Sequence, residues 1–506
     1  MRILIGLAAL LFAVSGCGTS SSGDGGNGVA EVRPSQIGAE QLRAAASDPE
    51  VARFYEARDW QPAWNADSAR AVVEAIGEGG RHGLDPQTFL AASERAVAPT
   101  DREVALTRAA LDYARALARG RTDPARLFEV YESPRPDADV AAGLGQALHS
   151  ETVGAWLAGL APQDEEYRKL SEAYLAARAA GAQGTTPIAA GPDLRPGRSD
   201  RRLGDIAAAL RRAGYLASAG ERAAPARHTP ELVAAVRNLQ QDYGLADDGI
   251  VDEQTLGALN DAAFDRVRTL AVNLERRRWR PRAQPGTRID VNIAAATLDY
   301  WRDNRVADSR RVIVGEPGNE TPQLDSPMFR LAANPTWTVP RSIQREEIEP
   351  KGAAYMARNN MEWRDDWIVQ ASGPTNSLGL VKFDLRNDHA IYLHDTPHKA
   401  LFAQSLRHFS HGCVRVADAL GFARMIAGEQ GVGDQWERAQ AEGEEGFVAL
   451  PRPIPVRLYY QTAFLDNGRI RYRLDAYGWD ETVARALGFA ARPRREVAHR
   501  EHDVGP

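Results

Sequence analysis

The sequence predicts an α+β protein of several domains, helical in its first half and mostly β in its second. Three observations predict this. Residues 37–179 are rich in Ala, Leu, Glu and Arg, and apolar side chains return at short helical intervals, as at Val104, Leu106, Ala109, Leu111, Ala114 and Leu117. Residues 288–331 instead alternate or run apolar, as in Arg288-Ile289-Asp290-Val291-Asn292-Ile293 and Val312-Ile313-Val314. Between them, Gly181 to Ser199 is rich in Gly, Pro and Thr, which marks a linker or long loop. A length of 506 residues calls for more than one core, and 43% hydrophobic residues suffice to fill them.

Met1 to Gly16 read as a secretory signal, with Arg2 as its basic start and Ile3 to Val14 as a short apolar stretch. That stretch falls short of the roughly 20 residues needed to span a bilayer. Residues 17–36 open on Cys17 and are Gly/Ser-rich to Gly28, a flexible tether. Residues 37–199 are expected as a helical scaffold, broken at Gly83-Leu84-Asp85-Pro86 and Thr122-Asp123-Pro124; its isolated His82 and His149 read as structural. Residues 200–262 form a small helical unit in which Leu232, Val236, Leu239 and Tyr243 make one stripe, closed by Gly244. Residues 263–287 hold a connecting helix, Arg266 to Arg280, stopped by Pro281. Its run Arg276-Arg277-Arg278-Trp279-Arg280 reads as a solvated helix end rather than a phosphate-binding patch.

Residues 288–460 carry the strands, with turns at Gly315-Glu316-Pro317-Gly318 and Glu320-Thr321-Pro322. They also carry a charged, helix-prone insertion at about 341–370. Residues 461–506 are a C-terminal extension with a hairpin turn at Asp466-Asn467-Gly468 and a loose charged tail from Arg492.

A formal net charge of −6 gives no electrostatic case for nucleic acid. Chemistry concentrates instead at Ser410-His411-Gly412-Cys413-Val414-Arg415. The chain has two cysteines, one of them here, and five of its ten histidines fall between His389 and His411. A thiol beside imidazoles reads as an activated nucleophile, because the thiolate attacks and a ring nitrogen takes its proton. Gly412 lets the backbone come close to a substrate. Two other readings stand beside this one. One is a buried thiol among satisfied core histidines. The other is a zinc site of His408, His411 and Cys413, whose spacing matches neither a CxxC pair nor an HExxH helix. The catalytic reading is favoured, and it needs neither metal nor organic cofactor.

His394, in Tyr392-Leu393-His394-Asp395, followed by Ser410-His411-Gly412-Cys413, resembles the signature of the YkuD-type L,D-transpeptidases. Asn334 to Pro340 and Pro374 to Phe383 resemble further segments of that catalytic domain. Phe54-Tyr55 through Trp60-Gln61-Pro62-Ala63-Trp64 resembles the scaffold domain of the larger, YcbB-like members. Ala235 to Asn260 resembles a three-helix peptidoglycan-binding module, with Asp252 where that module usually has glycine. Val14-Ser15-Gly16-Cys17 resembles a bacterial lipobox. With gaps, the resemblance runs from about residue 37 to 460.

The resemblance implies that Cys413 is the nucleophile, His394 the general base, and the Asp395 carbonyl the group orienting its ring. The N–H groups of Gly412 and Cys413 become oxyanion donors, each worth about 3 kcal/mol if well aimed. Ser410, His411, Arg415, Trp337, Asn376 and Tyr392 are expected to bind substrate. Arg415 would pair either a stem-peptide carboxylate or a structural acid. A helix beginning at Asp418 would lend its dipole to the thiolate, and the 341–370 insertion becomes a lid.

The implied reaction takes a peptidoglycan tetrapeptide stem, releases D-alanine and passes the acyl group to another stem's amine, giving a 3→3 cross-link. Water as acceptor would make an L,D-carboxypeptidase, a free D-amino acid an exchange product, and a protein amine a wall anchor. A non-enzymatic wall-binding scaffold with a dead site is the remaining alternative. Implied partners are peptidoglycan stems and glycan, other cell-wall enzymes, and a membrane reached through lipidated Cys17. That places the chain on the periplasmic face, with the outer membrane favoured because Gly18 rather than aspartate follows the cysteine.

Overall fold

Helix starts in the N-terminal half are set by acidic and amide caps. Asp48 accepts from the N–H groups of Glu50 and Val51 ahead of Pro49, Asp85 precedes Pro86, and Asn65 accepts from Ser68. Each side-chain oxygen satisfies a backbone donor that the helix itself leaves open. The computed structural model describes residues 37–181, 187–217 and 225–492. The expected signal 1–16, the tether 17–36 with Cys17, and the tail beyond Arg492 lie outside the described residues. Among the described residues no helix is long and apolar enough to cross a membrane.

The chain divides into two compact units. The first takes residues up to Gly80, Leu84–Ala118 and Ala138–Ala161. Its longest helix, Pro99–Arg119, buries Leu106, Ala110, Tyr113, Ala114 and Leu117 on one face. Glu103 on that helix accepts from the Tyr55 hydroxyl at 3.1 Å and from the Ala63 N–H at 2.5 Å, pinning the Tyr55–Trp64 segment.

The second unit takes Arg81–Gly83, Arg119–Asp137 and everything from Pro162. The expected scaffold 37–199 is therefore shared between the two units. Tyr131–Glu132 leave the helical pattern because they pair, as a strand, with Gln323–Leu324. Where it is described, the expected linker packs on the three-helix module: the Ile188 N–H donates to Asn260 at 2.8 Å, and Leu194 bridges Val251. The module's helices are Leu203–Arg212, Pro230–Tyr243 and Glu253–Asn260. Gly244 closes the second at φ 66°, and Asp252 caps the third by accepting from Thr255.

The basic run on the connecting helix, Arg266–Trp279, corrects the expectation of a solvated end. Arg276 and Arg278 are buried, and their guanidinia pair with Asp480 and Glu275, while Arg277 pairs with Asp164. The helix lies in the interior of its unit, where an unpaired charge is costly, so every cation of the run was given a carboxylate or an aromatic face. Arg280 takes the aromatic face, over the Tyr459 ring at 4.2 Å.

The strands follow in chain order: β1 (Tyr131–Glu132), β2 (Arg288–Asn292), β3 (Thr297–Arg302), β4 (Arg305–Gly315), β5 (Gln323–Ala333), β6 (Trp337–Thr338), β7 (Met361–Arg364) and β8 (Trp367–Gln370). Then come β9 (Val381–Leu385), β10 (Leu393–His394), β11 (His408–Ser410), β12 (Val414–Val416), β13 (Gly446–Tyr459), β14 (Ala463–Asp466) and β15 (Arg469–Tyr472). The main sheet runs β1-β5-β13-β2-β3-β4-β12-β10-β9, and β9 also pairs with β5, so the sheet closes on itself. Closure buries one face around Ile289, Val291, Val314, Leu331, Phe383, Leu393 and Val414, with Phe422 and Ile426 of the helix Ala419–Glu429 packed in. The insertion at 341–370, the expected lid, is helical only to Arg358; β7 and β8 then form a hairpin completed by β6. It has its own core of Trp337, Ile343, Ile348, Met361, Ile368 and Leu378.

Candidate active site

β10 and β12 run parallel, with Leu393 opposite Val414 and His394 opposite Arg415. Strand alternation then sorts the side chains. Leu393, Val414 and Val416 enter the sheet's core, so Tyr392, His394, Cys413 and Arg415 share the opposite face, where Tyr392 packs on the lid's core. His394 is 0% exposed and Cys413 is 5% exposed. Residues far apart in the chain thus become neighbours because two short strands pair.

The segment before the thiol is held from within. Ser410 Oγ donates to the Cys413 carbonyl at 2.5 Å and accepts from the Gly412 N–H at 3.3 Å. Thr321 Oγ1 donates to the Gly412 carbonyl at 2.8 Å. Behind it, the Tyr477 hydroxyl donates to the Gly315 carbonyl at 2.5 Å and accepts from the Thr321 N–H at 3.2 Å. Gly412 sits at φ 113°, and an added Cβ there would meet nothing closer than 3.6 Å. The backbone angle, more than the space, requires glycine.

Three residues expected to touch substrate are used internally. Ser410 is fully buried in the contacts just described. Asn376 donates to the Ala371 carbonyl at 2.8 Å and accepts from Leu378 at 2.7 Å, holding its own loop. Trp337 is 1% exposed inside the lid's core. Short polar side chains in a tight loop satisfy nearby backbone first, which sequence spacing does not reveal.

Asp395 works through its side chain as well as its backbone. Its carboxylate accepts from the Leu380 N–H at 3.0 Å and pairs with Lys399. Gly379, at φ 63°, lets it in: a Cβ there would fall 2.3 Å from Asp395 Oδ2.

The electrostatics leave the resting pair neutral. Burial first, then Arg415 and Lys382, hold the His394 imidazole well below its usual value, while the backbones of Asp395 and Leu378 oppose them. Neither ring nitrogen of His394 makes a well-aligned hydrogen bond within the protein, so the Asp395 backbone favours the charged ring without fixing it. Burial pushes the Cys413 thiol up to about 11, against the pull of Tyr392, Lys382 and Arg415. Its Sγ points to the Ala390 carbonyl at 3.7 Å. Tyr392 lies beside it, edge-on to His394 at 5.6 Å between ring centres, with the Lys382 ammonium 4.3 Å over its own ring.

The other histidines diverge. His411 Nε2 meets Glu347 of the lid at 2.6 Å. His408 packs on Tyr477 at 5.4 Å, and burial pushes its ring down to about 4. Among the described residues, no group of three or more His, Cys, Asp or Glu is placed to hold a metal. Lys382, Glu347, Thr321 and Tyr477 were given no site role from the sequence, although Lys382 lies in the segment Pro374 to Phe383 and Thr321 in an expected turn.

Residues 286–440 match the family model for the YkuD L,D-transpeptidase catalytic domain. The chain carries an L,D-transpeptidase domain. Residues 49–173 match the Scaffold domain and residues 201–259 the "Putative peptidoglycan binding domain". A "Putative L,D-transpeptidase" of Haemophilus influenzae is 31% identical over 289 residues, covering 51% of this chain; the match spans 58% of that relative's length. Among solved structures, an L,D-transpeptidase of Stackebrandtia nassauensis is 14% identical, over 56% of this chain and 100% of its own, at a TM-score of 0.23. One from Xylanimonas cellulosilytica is 18% identical, over 54% and 99%, at 0.19. Likeness at those scores carries no weight; the assignment stands on the domain matches. The L,D-transpeptidase match ends at residue 440, before β13 and Tyr477.

Proposed function

We propose that this L,D-transpeptidase domain forms 3→3 peptidoglycan cross-links through a thioester on Cys413. The observation that carries the reading is the placing of His394 and Cys413 on one face of paired strands, beside the lid. Both groups rest neutral at pH 7, so the thiol proton leaves only as the sulfur attacks. His394 takes that proton while sulfur bonds to the carbonyl carbon of the stem's third residue. The cations Lys382 and Arg415 lower the cost of the transient thiolate.

The tetrahedral oxyanion is met by the Cys413 N–H and by the Gly412 N–H, which must leave its long bond to Ser410. The carbon–nitrogen bond to D-alanine then breaks, and His394 returns the proton to the departing amine. An acceptor amine next attacks the thioester, gives its proton up through His394, and frees the thiol.

The test incubates the protein with disaccharide-tetrapeptide and analyses products by mass. A cross-linked dimer with released D-alanine supports transpeptidation; tripeptide alone moves the reading to an L,D-carboxypeptidase. The module at residues 201–259 would hold glycan nearby, and its removal should lower sedimentation with purified sacculi. We infer also that Cys17 carries a lipid on the periplasmic face of a membrane. Cys17→Ala should then release the protein from membrane fractions, and continued sedimentation would count against the anchor.

A further inference from the structure

A small cavity lies where β1, the connecting helix, β5 and the end of β13 meet, and none of the active-site residues lines it. It holds about 20 Å³ of space, room for one occupant the size of a water or a halide. Its walls are cationic: Arg276, Arg280 and Arg457 line it against a single carboxylate, Asp325. Arg276, Gln323 and Arg457 are 3%, 3% and 6% exposed. Each keeps N–H groups with no partner in the protein: Nε and Nη2 of Arg276, Nη1 of Arg457 and Nε2 of Gln323. A buried donor left unpaired is costly. Such donors on three residues around one cavity call for an acceptor there.

Charge selects which acceptor. Arg276 pairs with Asp480, and Asp290 takes both Arg457 and Arg288. Asp325 accepts from Ser133 at 2.7 Å. With Asp299 facing Arg288 as well, four guanidinia (Arg276, Arg280, Arg288, Arg457) meet four carboxylates (Asp290, Asp299, Asp325, Asp480), but of these carboxylates only Asp325 lines the cavity, against three of the guanidinia. Neighbouring Arg277 is already balanced by Asp164 and Glu166. Burial and Asp480 push Asp475, behind them, up to about 7, so near neutral pH it adds only part of a charge. Burial, Arg277 and Arg457 hold the Arg280 guanidinium below its usual value, while Tyr459 and Asp290 oppose them. Water would satisfy the donors without answering the positive field of the three guanidinia that line the cavity.

We propose that this cavity binds one small monovalent anion of chloride size, with Arg276, Gln323 and Arg457 as its donors. The ion ties β1, which arrives from the N-terminal half of the chain, to the connecting helix and the closed sheet. The site is independent of the acyl-enzyme reading.

The test exchanges the full chain into sodium gluconate and follows the thermal midpoint as sodium chloride replaces gluconate at fixed ionic strength. The midpoint should rise with the logarithm of chloride concentration once the site fills, and Gln323→Leu should need about tenfold more chloride for the same rise, as expected for one lost bond to a charged group. Crystals of the unaltered protein soaked in sodium bromide should show an anomalous peak in the cavity, within hydrogen-bond reach of Arg457 and Gln323. Equal responses to chloride and gluconate, or density for water with no bromide signal in the cavity, would overturn the proposal.

Discussion

His411 Nε2 and the Glu347 carboxylate stand 2.6 Å apart, one two residues before Cys413 and the other in the insertion expected to be a lid. The contact fastens that insertion directly to the Ser410–Cys413 segment, where the proposed reaction takes place. Glu347→Ala should therefore loosen the lid. Amide hydrogen exchange across residues 341–358 should accelerate by about tenfold, the effect of losing one charge-assisted bond. Unchanged exchange would mean that the lid's own apolar core, around Ile343 and Ile348, holds it shut.

Tyr477 lies beyond the matched catalytic domain, yet it supports the turn that carries Thr321, which in turn holds the Gly412 carbonyl. Tyr477→Phe keeps the ring and removes the hydroxyl, leaving buried backbone groups short of a partner at a cost of about 1–3 kcal/mol. Turnover should fall with little change in KM, because the loss displaces the nucleophile rather than the substrate pocket. A variant with normal kcat and only a lower Tm would make Tyr477 merely structural.

The thiol's resting state has its own signature. With Cys413 pushed up to about 11, its alkylation by iodoacetamide should still climb above pH 9, with no plateau near 7. Lys382 pulls the thiol down, so Lys382→Met should move the profile further up. Peptide mapping separates Cys413 from Cys17. A plateau near neutral pH would show a thiolate already formed, and the proton transfer described above would be wrong.

How much of this was legible beforehand differs by element. Arg288–Ile293 and Val312–Val314 alternate or run apolar and so were readable as strands, as the Gly244 stop and the Asn467-Gly468 turn were readable from their glycines. The pair His394 and Cys413 was visible through a long motif. What stayed hidden depends on contacts between distant segments. Nothing local says that Tyr131–Glu132 will pair with β5, or that the Arg276 run will be buried against Asp480 and Glu275. The roles of Asn376 and Ser410 were missed for a related reason: an amide or hydroxyl looks the same whether it faces a ligand or its own backbone.

Asp475 sets a pH dependence of stability. Its folded value lies near 7 because of burial and Asp480, above the ordinary 3.8. A carboxyl raised on folding binds its proton more tightly in the native state. Its contribution is therefore full below about pH 4 and is lost as pH rises through 7. The thermal midpoint should carry a downward slope between about pH 4 and 7 that Asp475→Asn flattens. An identical slope in the variant would assign the titration to other groups.

The most direct test of the central claim is the intact mass of the protein quenched during turnover of disaccharide-tetrapeptide. The account predicts an adduct equal to the donor less D-alanine, mapped to the peptide containing Cys413 and absent in Cys413→Ser, which also releases no D-alanine. Release of D-alanine by Cys413→Ser, or an adduct mapped to any other residue, would contradict it.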